Sequence, residues 1–224
     1  MLYKSKKWEK AQQQAINNNR LDNKMNQMLE LDNLLDVGKI DILKYCYMKS
    51  NNYFMASNTA YLLGEEEKCK EYINTGLDYR LKAVRISKEN ENVNQHILDK
   101  LTKSMKENKA AYYAVAVNRD ADAKQLLIKE HCIQHLLNNE IKIVKDKYVE
   151  NSENFSQILL ALCNHDSKGL KKAIENRVSL LRKQPADSLI PLDIWSVAFL
   201  KISQKTGMEW EGHLIEIPEF LLEL

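Results

Sequence analysis

The chain has little of what interrupts regular structure. It has 6 glycines and 3 prolines in 224 residues. So few turn and break residues favour long helices joined by short turns. Its 4 cysteines, Cys46, Cys69, Cys132 and Cys163, form no CxxC pair. They read as small buried hydrophobes of a reducing compartment, not as a disulfide framework. Met1 to Lys10 is basic, but no apolar segment follows, so no secretory signal is expected. No run of about 18 apolar residues occurs, so no transmembrane helix is expected. The formal net charge is +2. That shows neither an overall nucleic-acid footprint nor an acidic disordered tail. No Gly-rich phosphate loop and no nucleophile elbow is present. The expected locale is the cytoplasm.

What is present is helical periodicity from end to end. Residues 5–17 carry Trp8, Ala11, Ala15 and Ile16, and Asn17-Asn18-Asn19 breaks the run. Leu21, Met25, Met28, Leu29 and Leu35 make a second helix ending at Gly38. A third starts near Lys39 and ends at Gly64. Glu65-Glu66-Glu67 opens a fourth, with acids where the helix dipole favours them. Residues 90–94 are polar and read as a loop. A long helix then carries Ile97, Leu101, Met105, Tyr112, Val115 and Ala116. Asn118-Arg119-Asp120 turns it, and one return helix is expected from Ala123 through His131 to Leu137. Residues 141–149 are β-branched and short, and read as helix because no partner strand is near in sequence. A weak repeat marks three turns: Leu62-Leu63-Gly64-Glu65, Ala116-Val117-Asn118-Arg119 and Leu162-Cys163-Asn164-His165. Five residues after the third of each stands a small residue, Cys69, Ala123 or Gly169. The spacing suits helical-hairpin repeats. The expected architecture is all-α: about ten helices in stacked antiparallel hairpins, a repeat-like or solenoid globule with a short extended C-terminal tail. It spans 1–224 as one domain, with 1–38 as a candidate peripheral part.

The stretch 154–224 is the most informative. Phe155, Ile158, Leu159 and Leu162 share one helix face. Asn164-His165-Asp166 breaks that helix, and Asp166 can cap the next. Leu170, Ala173, Ile174, Val178 and Leu181 follow. Pro185 and Pro191 bracket a loop. Leu192, Trp195, Ala198, Phe199 and Ile202 form a third stripe, closed by Lys205 and Gly207. Residues 208–217 lack a helical period and read as extended, with Pro218 at the first position of a last short helix.

No catalytic or metal site is expected. His131 and His135 stand at i, i+4, a spacing that can hold zinc, but the zincin glutamate is replaced by Cys132 and no third ligand is evident. His165-Asp166 is read as a cap rather than an acid–base couple. His213 has no nucleophile near it in sequence. Lys100, Lys103, Lys106 and Lys109 spread around their helix and read as a solvated face. From Asp187 onward, seven acids (Asp187, Asp193, Glu209, Glu211, Glu216, Glu219 and Glu223) face Lys201 and Lys205. The plain reading is a solvated face; the sharper one is a docking surface for a basic partner. Trp210, between Glu209 and Glu211, is either a protein-binding anchor or a plug that packs the tail.

In the order of these features, residues 152–224 resemble the bacterial family called Immunity protein forty-nine. The turn Asn164-His165-Asp166 is followed by a helix bearing Lys171, Lys172 and Arg177. A proline-bearing loop, a helix over 192–205, Gly207, an extended segment and a close at Pro218, Leu221 and Leu222 come next. Where typical members have a tyrosine beside that proline, this chain has Ile217-Pro218-Glu219-Phe220. The resemblance implies an antitoxin-like protein of a polymorphic toxin system. It would bind a cognate toxin domain, often a nuclease, stoichiometrically, without enzyme activity or cofactor, membrane or direct nucleic-acid contact. The expected contact residues are Glu209, Trp210, Glu211 and Glu216. The alternative is a helical-repeat adaptor or peptide-binding regulator with a concave groove.

Overall fold

The computed structural model describes residues 6–89, 109–127, 130–152, 155–186 and 191–223. Among them the chain is all-α, with twelve helices and no strand. They are α1 (Lys6–Asn17), α2 (Arg20–Asp36), α3 (Ile42–Leu63), α4 (Glu66–Glu89), α5 (Lys109–Ala116) and α6 (Asp120–Leu126), then α7 (Cys132–Leu137), α8 (Ile141–Lys147), α9 (Ser156–Cys163), α10 (Ser167–Arg182), α11 (Ile194–Lys205) and α12 (Glu219–Leu222). The loop expected at 90–94, the start of the long helix at Ile97, Leu101 and Met105, and Lys100, Lys103, Lys106 and Asp187 lie outside the described residues. No helix among the described residues is long and apolar enough to cross a membrane.

One device ends six of these helices. A residue with positive φ stands at Gly38, Gly64, Asn118, Asn139, His165 and Gly207. At each, its amide and the next one fold back onto the last turn: Gly64 donates to the Tyr61 carbonyl, and Glu65 to that of Ala60. This is the Schellman cap, which satisfies carbonyls the helix leaves open. Glycine adopts that backbone without strain, and asparagine tolerates it better than most residues. The repeat seen in sequence is this turn. Its third copy centres on His165, not Asn164, and a fourth copy centres on Asn139. In that register the residue five positions on is Cys69, Ala123, Val144 or Leu170, all essentially buried. Leu170, not Gly169, is therefore the third inward position, and the rule is burial, not small size. The four turns join α3 to α4, α5 to α6, α7 to α8 and α9 to α10.

The single return helix expected over 123–137 is two helices. α6 stops at Leu126, and His131 has the extended backbone of an N-cap, φ −145° and ψ 148°. Its ring Nδ1 accepts from the Ile133 amide at 3.2 Å. The third helix starts at Ile42, because the Asp41 carboxylate accepts the Lys44 amide at 2.8 Å. Pro218 precedes α12, in the cap position and not inside the helix.

α3 and α4 form the most extensive pair. Gly76 permits their approach: a Cβ there would lie 2.9 Å from the Phe54 ring and 3.2 Å from Tyr53 Cβ. α1 sets Trp8, Ala11 and Ala15 into the main core, with Trp8 edge-on to Tyr61. At the centre, α5 packs on α11. Every residue of 110–116 and of 194–203 is buried. The burial of α11 thus extends beyond the stripe of Trp195, Ala198, Phe199 and Ile202 to all its faces over 194–203. Its polar residues find partners inside: Ser196 donates to Asp193 at 2.6 Å, and Ser203 to the Leu200 carbonyl. Lys201 donates to the Glu223 carbonyl and so reaches the C-terminal segment.

Candidate partner-binding surface

The segment after α11 makes no helix over 208–214 and turns at 215–217, and it is strapped down along its length. Burying a backbone that makes no helix requires partners for its polar groups. Met208 donates to the Ser203 carbonyl at 3.0 Å, and Ile217 to that of Leu214 at 2.9 Å. The Tyr61 hydroxyl donates to the Ile215 carbonyl. Lys171 donates to the Glu211 carbonyl at 2.9 Å. Arg182 grips the Glu216 carboxylate through two bonds, 2.7 and 2.9 Å. Lys171 and Arg182 lie eleven residues apart on α10, a rise of about 16 Å, and hold the tail at Glu211 and at Glu216.

Asp193 joins α10, α11 and the tail at one point. It has no exposed surface. Its carboxylate takes two bonds from Arg177 Nε, 2.9 and 3.2 Å, and one from Nη2 at 3.1 Å. Its amide donates to the Glu216 carbonyl at 2.9 Å. Arg177 also lies over the Phe155 and Trp195 rings, at 4.9 and 5.1 Å. A buried carboxylate is stable only when so matched.

The acids expected to form one docking face therefore divide. Asp193 and Glu216 point inward; Glu216 is 2% exposed. As a contact residue Glu216 is corrected: it anchors the tail, and its charge is spent on Arg182, whose guanidinium it holds above its ordinary pKa range. Glu209, Glu211, Glu219 and Glu223 are exposed. Trp210 is half-buried and packs on the main core. Its indole lies so close to Gly212 that a Cβ there would stand 2.4 Å from the ring.

Trp210, Gly212, Glu211, Glu219 and Glu223, but not Glu209, line a groove of about 450 Å³ between the end of α11 and α12. Trp210, Gly212 and Leu222 give it an apolar part, and Glu211, Glu219, Glu223 and His213 a charged one. Gln204 reaches it from α11. His213 Nδ1 lies 2.5 Å from Glu219. Sequence reasoning missed Gln204, His213, Glu219 and Glu223 as groove residues. The turn at 215–217, which brings α12 back over residues 210–213, leaves no signal in spacing alone.

The other candidates are accounted for locally. His131 and His135 do not share a helix face, since His131 is the cap and its ring meets Tyr112 edge-on at 5.9 Å. Burial, helped by His135, pushes the His131 pKa down to about 4. His135 sits between Glu140 at 2.5 Å and Glu130 at 2.9 Å, and Lys147 completes the chain to Glu130 at 2.8 Å. Asp166 accepts the Gly169 amide at 2.9 Å and caps α10. Lys109 lies over Tyr113 and Trp195, at 5.7 and 5.0 Å. Burial pushes the Cys69 and Cys132 thiols up to about 12 and about 11. Among the described residues no group of three or more His, Cys, Asp or Glu side chains is placed to hold a metal ion.

Comparison of the chain with protein-family models, with curated proteins and with solved structures finds no match.

Proposed function

We propose that the chain is a cytoplasmic immunity protein that binds a cognate bacterial toxin domain, a nuclease by preference, and neutralises it stoichiometrically without chemistry of its own. The observation that carries this reading is the acidic, aromatic face of the C-terminal segment. Glu209, Glu211, Glu219 and Glu223 stand exposed around Trp210, and the nearby lysines are already engaged. Lys171 and Lys201 bond backbone carbonyls, and Lys205 pairs with Asp120. Such a face complements the basic surface that a nuclease uses for phosphates, and it speeds and orients encounter. The features that carry the family resemblance, the basic α10 and the proline-closed tail, are the ones that build this face. The contact set is Glu209, Trp210 and Glu211, joined by Glu219 and Glu223 in place of Glu216.

The adaptor reading asks for an open groove along the array, with an extended segment as its occupant. Capture of the tagged protein from its host, followed by mass spectrometry, tests the proposal. The expected result is one stoichiometric partner with a domain that arrests growth alone and is silenced by co-expression of this chain. Several substoichiometric partners sharing a short motif would replace this reading with the adaptor.

A further inference from the structure

We propose that the pocket between α2, α3, α5 and Pro191 binds a small carboxylate that carries a short apolar tail. The site is independent of the immunity reading.

The pocket holds about 170 Å³. Arg20, which begins α2, and Lys109, which begins α5, both line it. Among the described residues no acid stands in its wall, and neither cation makes an ion pair. Arg119 and Arg177 are half-buried like these two, and each holds a carboxylate. Lys109 is placed by rings instead. Its ammonium lies 5.0 Å from the Trp195 ring and 5.7 Å from that of Tyr113. A ring face attracts a cation and leaves its N–H donors open to an acceptor. Trp195 adds a further open donor beside Lys109. It is 8% exposed, and its buried Nε1 finds no acceptor among the described residues.

The neutral polar groups of the wall are turned to the chain itself. Asn58 gives its amide nitrogen to the Phe54 carbonyl and the Tyr113 hydroxyl, both at 2.7 Å, and its oxygen is buried. Thr59 donates to the Met55 carbonyl at 3.1 Å. What the pocket presents is therefore two cations, and an excess of donors at one place is balanced by an anion from outside.

The rest of the wall selects the anion. Met55, Leu62 and Pro191 are apolar. Phosphate would set oxygens against that surface and lose hydration without return. A carboxylate brings one charge and two oxygens, which match a guanidinium edge, and an alkyl tail covers the apolar side. The volume leaves room for a short tail only. The pocket joins parts of the chain that are far apart in sequence, so an occupant stabilises the fold by mass action.

Butyrate serves as the probe, with butanol, butylamine and inorganic phosphate beside it. Binding is read from the Trp195 indole N–H resonance and by ligand-observed NMR. Butyrate is expected to bind with a Kd of about 1 mM, and the other three at least about tenfold more weakly. R20Q and K109Q are each expected to weaken butyrate by about tenfold. K10Q, an exposed lysine outside the pocket wall, is expected to stay within about twofold. M55E sets an acid on the exposed rim and is expected to abolish binding with an unchanged urea midpoint, which separates loss of the site from loss of the fold. Equal binding of butanol would mean an apolar hole without charge recognition, and equal binding of phosphate would mean diffuse positive charge; either overturns the site. So does the absence of butyrate binding at about 10 mM, or unchanged affinity in R20Q and K109Q. Capture of a toxin partner, or failure to capture one, bears on the immunity reading alone.

Discussion

Glu216 and Glu209 are seven residues apart and carry the same charge, yet their substitutions should act on different properties. Glu216 is 2% exposed and doubly bonded to Arg182. Glu209 is exposed. Reversing Glu216 would place a lysine against Arg182 in a buried site, a loss of roughly 3 kcal/mol or more. Reversing Glu209 should leave stability within about 0.5 kcal/mol. Urea titration of E216K and E209K checks both, and equal midpoints would refute the assignment. His131 gives a second prediction. Its folded pKa of about 4 lies below the usual 6.5. Between those values the unfolded chain binds the extra proton, so stability is complete above pH 6.5 and falls as pH drops towards 4. The full shift corresponds to about 3 kcal/mol. Asparagine can keep the cap on Ile133 while removing the titration. H131N should therefore lose clearly less stability than the parent over this window, with the carboxylates common to both cancelling. Parallel curves would show that His131 is not held neutral. The role of Glu216 was not legible in sequence, because a carboxylate in an extended acidic segment looks the same whether it faces Arg182 or water.

At the scale of elements, caps and periods were legible and close packing was not. Asp166, Gly64, Gly207 and Pro218 mark helix ends by chemistry that acts within a few residues. The break between α6 and α7 was hidden, because His131 keeps helical spacing with Leu127 while its ring, as a cap, replaces the usual Ser, Thr, Asp or Asn. The central place of α11 is not legible, because Lys201, Ser196 and Ser203 punctuate its stripe; each is buried with a partner that sequence cannot show. Gly76 is the clearest case. In an exposed helix its replacement by alanine would add about 1 kcal/mol. Here the new Cβ meets Phe54 at 2.9 Å, and Phe54 is itself stacked on Tyr113 at 4.3 Å. Overpacking of that kind costs about 1–3 kcal/mol. The clash should win, and G76A is expected to be less stable by about 1–2 kcal/mol in urea unfolding; a gain would mean that α3 and α4 separate freely. Gly212 is the converse, since the obstructing group is a half-exposed indole. G212A should move Trp210 outward and shift its emission to the red with little loss of stability.

At the scale of the whole molecule, the hydrophobic interior of the described residues falls into two clusters. The large one runs from α1 to α12. Among the described residues the small one has Leu31, Leu43, Tyr45, Cys46 and Ala83 as its buried members, from α2, α3 and α4. A polar seam on α2, α3 and α4 borders the small cluster, while Val84, beyond Arg80 on α4, packs in the large one. Asp32 bonds Tyr45 and Lys49 at 2.6 and 2.9 Å, and Arg80 bonds Ser50 and Asn51 at 3.1 and 2.5 Å. Arg80 also lies over Tyr47 at 4.5 Å, and burial lowers its pKa to about 10. Free energy of local opening follows the apolar contacts that opening breaks, so the small cluster should open before the large one. The thiols report this without further mutation. Cys163 is half-exposed, Cys46 lies in the small cluster, and Cys69 and Cys132 lie in the large one. Burial raises all four thiol pKa values, so at neutral pH each labels through its exposed or opened state. Timed alkylation with mass spectrometry should place Cys163 first, Cys46 second, and Cys69 with Cys132 last, the last two at the rate of global unfolding. Low urea should speed Cys46 before it speeds Cys69. If Cys46 and Cys69 react together at every urea concentration, the small cluster does not open on its own, and α2 with the first half of α3 folds as part of the main core.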